Sequence, residues 1–205
     1  MTIRRVCVYC ASSEQADQEY RQAAQRLGEV LAEQKITIAY GGGGMGSMGS
    51  LAAGALSRGG EVIGVVPRFM QELKWSHTGL SQMLLVENMR ERKHLMLAET
   101  DAVIALPGGC GTLEELFEAI TLKRLGIYLN PIVLINTRNF FHHFTALMTH
   151  CIAERFMDTR HAAMWQVVAQ PEQVLDAIRH APQWSTAALQ FAALTGDGLE
   201  PSEPS

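Results

Sequence analysis

The chain has 205 residues, 47% of them hydrophobic, with 17 basic against 21 acidic side chains and a net charge of −4. That length can bury one ample core, and that balance excludes a general attraction to nucleic acid or to an anionic membrane, so any affinity for phosphate must be built locally. No apolar run reaches the ~18 residues of a membrane span and Met1 to Arg5 lacks the apolar stretch of a signal peptide, so a soluble cytoplasmic protein is expected.

The first apolar run, Arg5 to Cys10, reads as a buried strand. It contains Cys7 and Cys10 at a spacing that elsewhere marks a redox pair or half a zinc site. In a strand, residues three apart point to opposite faces, so two small core residues are expected instead. No second such pair exists, Cys110 and Cys151 stand alone, and no carboxylate matches the spacing of His142, His143 and His150. No metal site is predicted. Glu14 to Glu33 follows as a helix, with Ala16, Tyr20, Ala23, Leu27, Val30 and Leu31 on one face.

The strand Ile36 to Tyr40 runs into Gly41-Gly42-Gly43-Gly44-Met45-Gly46-Ser47-Met48-Gly49, which contains GxGxxG twice. A dinucleotide site needs an acidic residue ending the next strand to hold a ribose diol, but Glu61 to Val66 runs into Pro67-Arg68. Arg68 could meet a 2′-phosphate, although no such cofactor binding is expected. Neither glycine run is followed by Lys-Ser or Lys-Thr, which argues against a P-loop. Gly43 and Gly44 remain candidates for contact with a ligand.

Further on, Ser47 to Ser57 reads as a helix, Met83 to Val86 as a strand, and Met89 to Glu99 as a helix that opens on Glu87-Asn88-Met89-Arg90-Glu91-Arg92-Lys93-His94. Cations in the first turns of a helix oppose its dipole, and a bound anion would offset that cost. A solvated charge run, in which Glu91 and its neighbours satisfy the bases, explains the pattern equally well.

The strand Ala102 to Leu106 then meets Pro107-Gly108-Gly109-Cys110-Gly111-Thr112-Leu113-Glu114-Glu115, and Leu113 to Leu125 continues as a helix. A glycine turn between strand and helix lets backbone N–H groups and the helix dipole converge on an anion. Glu115 lies one turn further on. The pattern Thr112-x-x-Glu115 also reads as a capping box, in which the carboxylate would serve the helix end. Glu118 follows on the same face, so paired carboxylates are a further reading, while Glu114 points elsewhere.

Ile132 to Ile135 and the weaker Val167 to Ala169 complete the strands, with a helix from Asn139 to Arg155 between them. Near-continuous apolar strands alternating with helices imply a doubly wound, Rossmann-like α/β domain, a mainly parallel sheet flanked by helices. Ligands in that architecture bind at the carboxyl ends of the strands, where the glycine turns fall. The domain is expected over 1–182, with 183–205 as a mobile tail.

The chain resembles the LONELY GUY family of cytokinin riboside 5′-monophosphate phosphoribohydrolases, often misnamed lysine decarboxylases. The resemblance runs from Val6-Cys7-Val8-Tyr9-Cys10-Ala11-Ser12-Ser13 through the Tyr40 to Gly49 turn, Val62 to Pro67, Met89-Arg90-Glu91-Arg92-Lys93, PGGCGTLEE and Leu125-Gly126-Ile127 to about Ala181. It implies hydrolysis of the N-glycosidic bond of a purine nucleoside 5′-monophosphate, giving free base and ribose 5-phosphate without a cofactor. By the resemblance, Arg92 and Glu115 match the catalytic pair. Lys93, Gly109, Cys110, Gly111, Thr112, Leu113, Glu114 and Thr121 match nucleotide-contacting positions, and Gly108 completes the turn. It implies a homodimer as well. A pyridoxal phosphate lysine, which a decarboxylase would need, is not suggested. The chain departs from the pattern at Lys74, where many members carry Glu, at Ser47, at Cys110 and at Leu122-Lys123-Arg124. The alternative within the same fold is a non-catalytic carrier of a nucleotide or of molybdenum cofactor.

Overall fold

A computed structural model of the chain describes residues 2–193. Seven parallel strands form one sheet in the order β4-β3-β2-β1-β5-β6-β7. They are β1 Arg5–Tyr9, β2 Thr37–Tyr40, β3 Val62–Pro67, β4 Gln82–Val86, β5 Ala102–Ala105, β6 Ile132–Ile135 and β7 Gln166–Val168. Side chains of β3, β5 and β6 are buried throughout, while the edge strands β4 and β7 are partly exposed. That contrast is why the inner strands read as continuous apolar runs and β7 as a weak one.

Helices cover both faces. On one lie α1 Gln18–Glu33, α2 Gly46–Ser57 and α7 Val174–Arg179, packed on Val6, Val8, Ile38, Tyr40, Ile104 and Val133. On the other lie α4 Met89–Leu97, α5 Cys110–Arg124 and α6 His142–Ala153, packed on Cys7, Tyr9, Val65, Val103, Ala105 and Leu134. The alternation along β1 puts Cys7 in one core and Cys10 in the other, as the strand reading required. Burial pushes both thiols well up, so neither is a ready nucleophile.

Several boundaries differ from expectation. Helix α1 begins at Gln18 rather than Glu14, because the Asp17 side chain accepts from Glu19 N (3.0 Å) and caps it there. The short helix α3, Arg68–Glu72, was not anticipated, nor was α7. The helix expected from Asn139 to Arg155 starts three residues later, as α6, and a 3-10 turn, Thr137–Asn139, precedes it. Arg138 and Asn139 adopt left-handed backbone angles there, and Asn136 Oδ1 accepts from Phe141 N (2.7 Å). The expected tail also begins differently. Trp184 Nε1 donates to the Lys123 carbonyl (2.7 Å), Thr186–Phe191 forms a 3-10 helix, and Ala188 and Ala192 are buried. The rest of that expected tail, 194–205, lies outside the described residues.

Candidate active site

Strand β1 is flanked by β2 and β5, and the chain crosses from one half of the sheet to the other between β4 and β5. Loops leaving β1 and β5 therefore diverge at their carboxyl ends and open a crevice. A cleft of about 460 Å³ lies there, lined by the β1 loop (Cys10–Ser13), the first glycines after β2 (Gly41–Gly43) and the glycine turn after β5 (Gly109, Gly111, Thr112), with Arg92 and Glu115 among its walls.

Local bonds shape each wall. The Tyr40 hydroxyl, deep in the core, donates to the Gly43 carbonyl (3.0 Å) and folds the glycine loop after β2 back on itself. Met48 N donates to the Ala11 carbonyl (3.0 Å), tying α2 to the loop after β1. Gly109 is the N-cap of α5, and the first helical bond there runs from Leu113 N to the Gly109 carbonyl (3.0 Å). The N–H groups of Cys110, Gly111 and Thr112 thus have no helical partner and offer a seat for an anion.

Asn88 caps α4 by accepting from Glu91 N (3.0 Å), which places Arg92 on the inner side of that helix. Arg92 is 5% exposed and Glu115 4%. The guanidinium donates from Nε to the Val65 carbonyl (3.2 Å), from Nη2 to the Gly41 carbonyl (3.1 Å) and from Nη1 to Glu115 Oε1 (3.4 Å). A Cβ at position 41 would coincide with the guanidinium, so glycine is required for the loop to lie on it. Burial raises the Glu115 carboxyl to about 7, against the pull of Arg92, and the neighbouring Glu114 and Glu118 add to the rise. Arg92 does not overcome burial because its charge is shared with two carbonyls and its contact with the carboxylate is long.

The expected capping box does not form. Thr112 lies inside the first turn rather than at the N-cap, and the helix start has no side-chain capping bond. Glu115 is therefore free of a structural duty at the helix end. Glu118 does not join it either, since Lys93 Nζ binds Glu118 (2.9 Å) and Glu114, clamping α4 to α5 on the outer surface. The carboxylates hold the Lys93 ammonium above its usual range.

Of the residues singled out from the sequence, Arg92, Glu115, Gly109, Gly111, Thr112 and Gly43 line the cleft, and Gly108 packs against Thr112 beneath it. Cys110 is exposed at the first turn and Gly44 at the rim. Lys93, Leu113, Glu114 and Thr121 do not line the cleft, Leu113 turning instead into the core. Arg68, weighed for a 2′-phosphate, pairs with Glu87 on the surface (2.6 Å). Sequence reasoning did not single out Ser12, Ser13, Met45, Met48, Met70, Trp75 and Met89, which also line the cleft. The two serines directly follow β1, beside the topological switch, and that position was the available signal. For Trp75 there was none, because α3 and the loop after it had not been recognised.

A family profile described as "Possible lysine decarboxylase" matches residues 48–178. Among the described residues no lysine lines the cleft, so those residues do not fit a pyridoxal phosphate enzyme. Among curated proteins, the chain is 39% identical over 158 residues to a "Probable cytokinin riboside 5′-monophosphate phosphoribohydrolase" of Oryza sativa subsp. japonica, covering 77% of this chain and 70% of that one. It is 36% identical over 179 residues to the cytokinin riboside 5′-monophosphate phosphoribohydrolase of Rhodococcoides fascians, covering 87% and 90%. Among solved structures, the molybdenum cofactor binding protein of Rippkaea orientalis superposes with a TM-score of 0.65 at 20% identity, covering 87% of this chain and 97% of that one. The last likeness speaks for the fold alone. The sequence relatives go further: the chain belongs to the LONELY GUY family of cytokinin riboside 5′-monophosphate phosphoribohydrolases.

Proposed function

We propose that the chain hydrolyses the N-glycosidic bond of a purine nucleoside 5′-monophosphate, of the cytokinin or adenosine type, to free base and ribose 5-phosphate. The observation that carries this reading is the buried Arg92–Glu115 pair facing a cleft whose rim is a glycine turn and a helix start. The 5′-phosphate sits against the free N–H groups of Cys110, Gly111 and Thr112, and its binding energy places the anomeric carbon over Glu115. As the C1′–N bond breaks, its electron pair leaves with the base, and the ribosyl centre gains positive charge. The Glu115 carboxylate stabilises that charge and takes a proton from the water whose oxygen bonds to C1′. That proton is passed on through solvent to the departing base nitrogen, so the water ends as the C1′ hydroxyl and the base N–H and the carboxylate is regenerated. A carboxyl titrating near neutral pH suits the task.

Arg92 fixes Glu115 more than it holds substrate. Three of its five N–H groups are spent on protein oxygens and a fourth on the Met89 sulfur, leaving one for a ribose hydroxyl or phosphate oxygen. Contacts of the nucleotide with Lys93, Glu114, Thr121, Leu113, Cys110, Gly108, Gly43 and Gly44 belong to this reading as proposals. So does a homodimer, which would cover apolar side chains left exposed on α4, α5 and α6, among them Leu95, Phe117 and Leu147. A cytoplasmic location fits four cysteines that are all free thiols. No helix among the described residues is long and apolar enough to cross a membrane.

Incubation with AMP and with isopentenyladenosine monophosphate, assayed for ribose 5-phosphate, tests the activity, and Glu115→Gln should lower the rate by about 10²–10³. Tight binding without turnover would point to the carrier alternative. No release, or a Glu115→Gln protein as active as its parent, sinks the hydrolase reading.

A further inference from the structure

The cleft is chemically two-sided. One side presents the glycine turn and the ionised pair. The other is apolar, formed by Met45, Met48, Met70, Met89 and Trp75, which gather round the glycine loop after β2. Met48 Cε approaches Gly41 and its sulfur approaches Gly43, while Met89 Sδ lies 4.0 Å from Arg92 Nη1. This wall is therefore continuous with the reacting centre.

Trp75 is held with unusual care for an exposed residue. Its N–H donates to the Met70 carbonyl (3.2 Å), closing α3, and its carbonyl accepts from Gly44 N (2.9 Å). His77 N donates to the Gly42 carbonyl (2.8 Å), and Gly43 and Ser76 form an antiparallel bridge. Lys74 turns the chain into this arrangement in a left-handed conformation (φ 57°). The segment after α3 is thus zipped onto the glycine loop, with Trp75, 48% exposed, among the residues that line the cleft. The other two tryptophans are partly buried and pack on the core. A rigidly mounted aromatic face in an apolar wall, beside an anion seat, matches a flat base attached to a phosphorylated sugar.

Resting on the hydrolase reading, we propose that Trp75 is the base platform of this site: the purine stacks on its indole while the adjacent methionines yield to an apolar group on the exocyclic amine. Methionine side chains are unbranched and polarisable, so they accommodate substituents of different shape. The site then ranks nucleotides by the size and flatness of the base, and purines with an apolar substituent on the amine bind at least as well as unsubstituted ones. Lys74 is exposed and does not line the cleft, leaving selection to its neighbour.

The test measures binding of ribose 5-phosphate, UMP, AMP and N6-benzyl-AMP by calorimetry to a Glu115→Gln protein, with and without Trp75→Ala. Loss of one stacked base should weaken AMP and N6-benzyl-AMP by about tenfold. Ribose 5-phosphate should change by less than about twofold, and Trp75→Phe should restore most of the loss. In the otherwise unaltered protein, Trp75→Ala should raise KM by a similar factor with kcat nearly unchanged. Equal weakening of ribose 5-phosphate and AMP, or no weakening of either, overturns the assignment. A lowered mass by light scattering with unchanged affinities also overturns it, by giving Trp75 to subunit contact. Failure of turnover alone would remove the hydrolase reading while the binding comparison still decides the platform.

Discussion

Glu115 is a carboxyl group withdrawn from water and only loosely held by its cation, so its titration governs two measurable properties. Its folded value, about 7, lies above the ordinary 4.5. The folded state therefore prefers the protonated form. Its contribution to stability is most favourable below the unfolded value, declines as pH rises from about 4.5 to about 7, and stays unfavourable above that. Glu115→Gln should be more stable than the parent at about pH 8, by up to ~3 kcal/mol, with the difference vanishing near pH 4. Urea unfolding at both pH values checks this, and an equal offset at the two would refute the placement. For activity the sign is opposite, since the carboxylate is the working form: kcat/KM of the parent should rise with pH through about 7. The carboxylate and its arginine were both legible as residues. Their union was legible only through the family resemblance, because locally Thr112-x-x-Glu115 carries an adequate explanation of its own that only the position of the helix start removes.

At the scale of elements, the close approach of α1 and α2 sets how the β1 and β2 loops meet. A Cβ on Gly28 would fall on the Leu51 carbonyl oxygen and within 2.7 Å of Ala55 N, and one on Gly54 would fall on the Gln25 carbonyl. Backbone atoms cannot yield as a flexible side chain can. Gly28→Ala should therefore cost about 1–3 kcal/mol despite its gain in helix propensity. A thermal midpoint at or above that of the parent would show the helices free to separate. The α4–α5 clamp works differently. Lys93 and its two carboxylates are partly solvated, so Lys93→Ala should lower stability by less than ~1 kcal/mol in denaturant unfolding. A larger fall in kcat/KM would then report contact with the nucleotide. Strong apolar periodicity made all seven strands and the five longer helices visible. Helices α3 and α7 are short, and their tertiary contacts, not their own pattern, hold them.

Across the whole molecule, residues 183–193 belong to the packed structure further than their composition suggests. His161 is fully buried with its ring beside Trp184 and Phe191, and burial lowers its basicity. Its Nδ1 accepts from Asp158 N (3.0 Å) and its Nε2 has no partner among the described residues. The folded state prefers neutral His161, so this contribution is intact above the unfolded value of 6.5 and is lost as pH falls below it. Acidification through about pH 6 should loosen the 184–191 segment, seen as faster amide exchange there, and His161→Phe should abolish that pH dependence. Protection that stays flat with pH would show that the imidazole never charges on opening. Removing everything after Pro182 should likewise lower the thermal midpoint, because Trp184 and Ala188 leave the surface they cover.

By itself the sequence determined the doubly wound architecture, the opposite-facing cysteines and the two glycine turns, because strand and helix periodicity and turn chemistry are written in neighbouring residues. Which residues meet was decided only by tertiary structure. Arg92 and Glu115 come from different helices, the cleft's apolar wall is gathered from α2, α3, α4 and the loops beside them, and Lys93 of α4 is claimed by carboxylates of α5. Those outcomes depend on strand order and on burial, and both are properties of the assembled sheet rather than of any stretch of the chain.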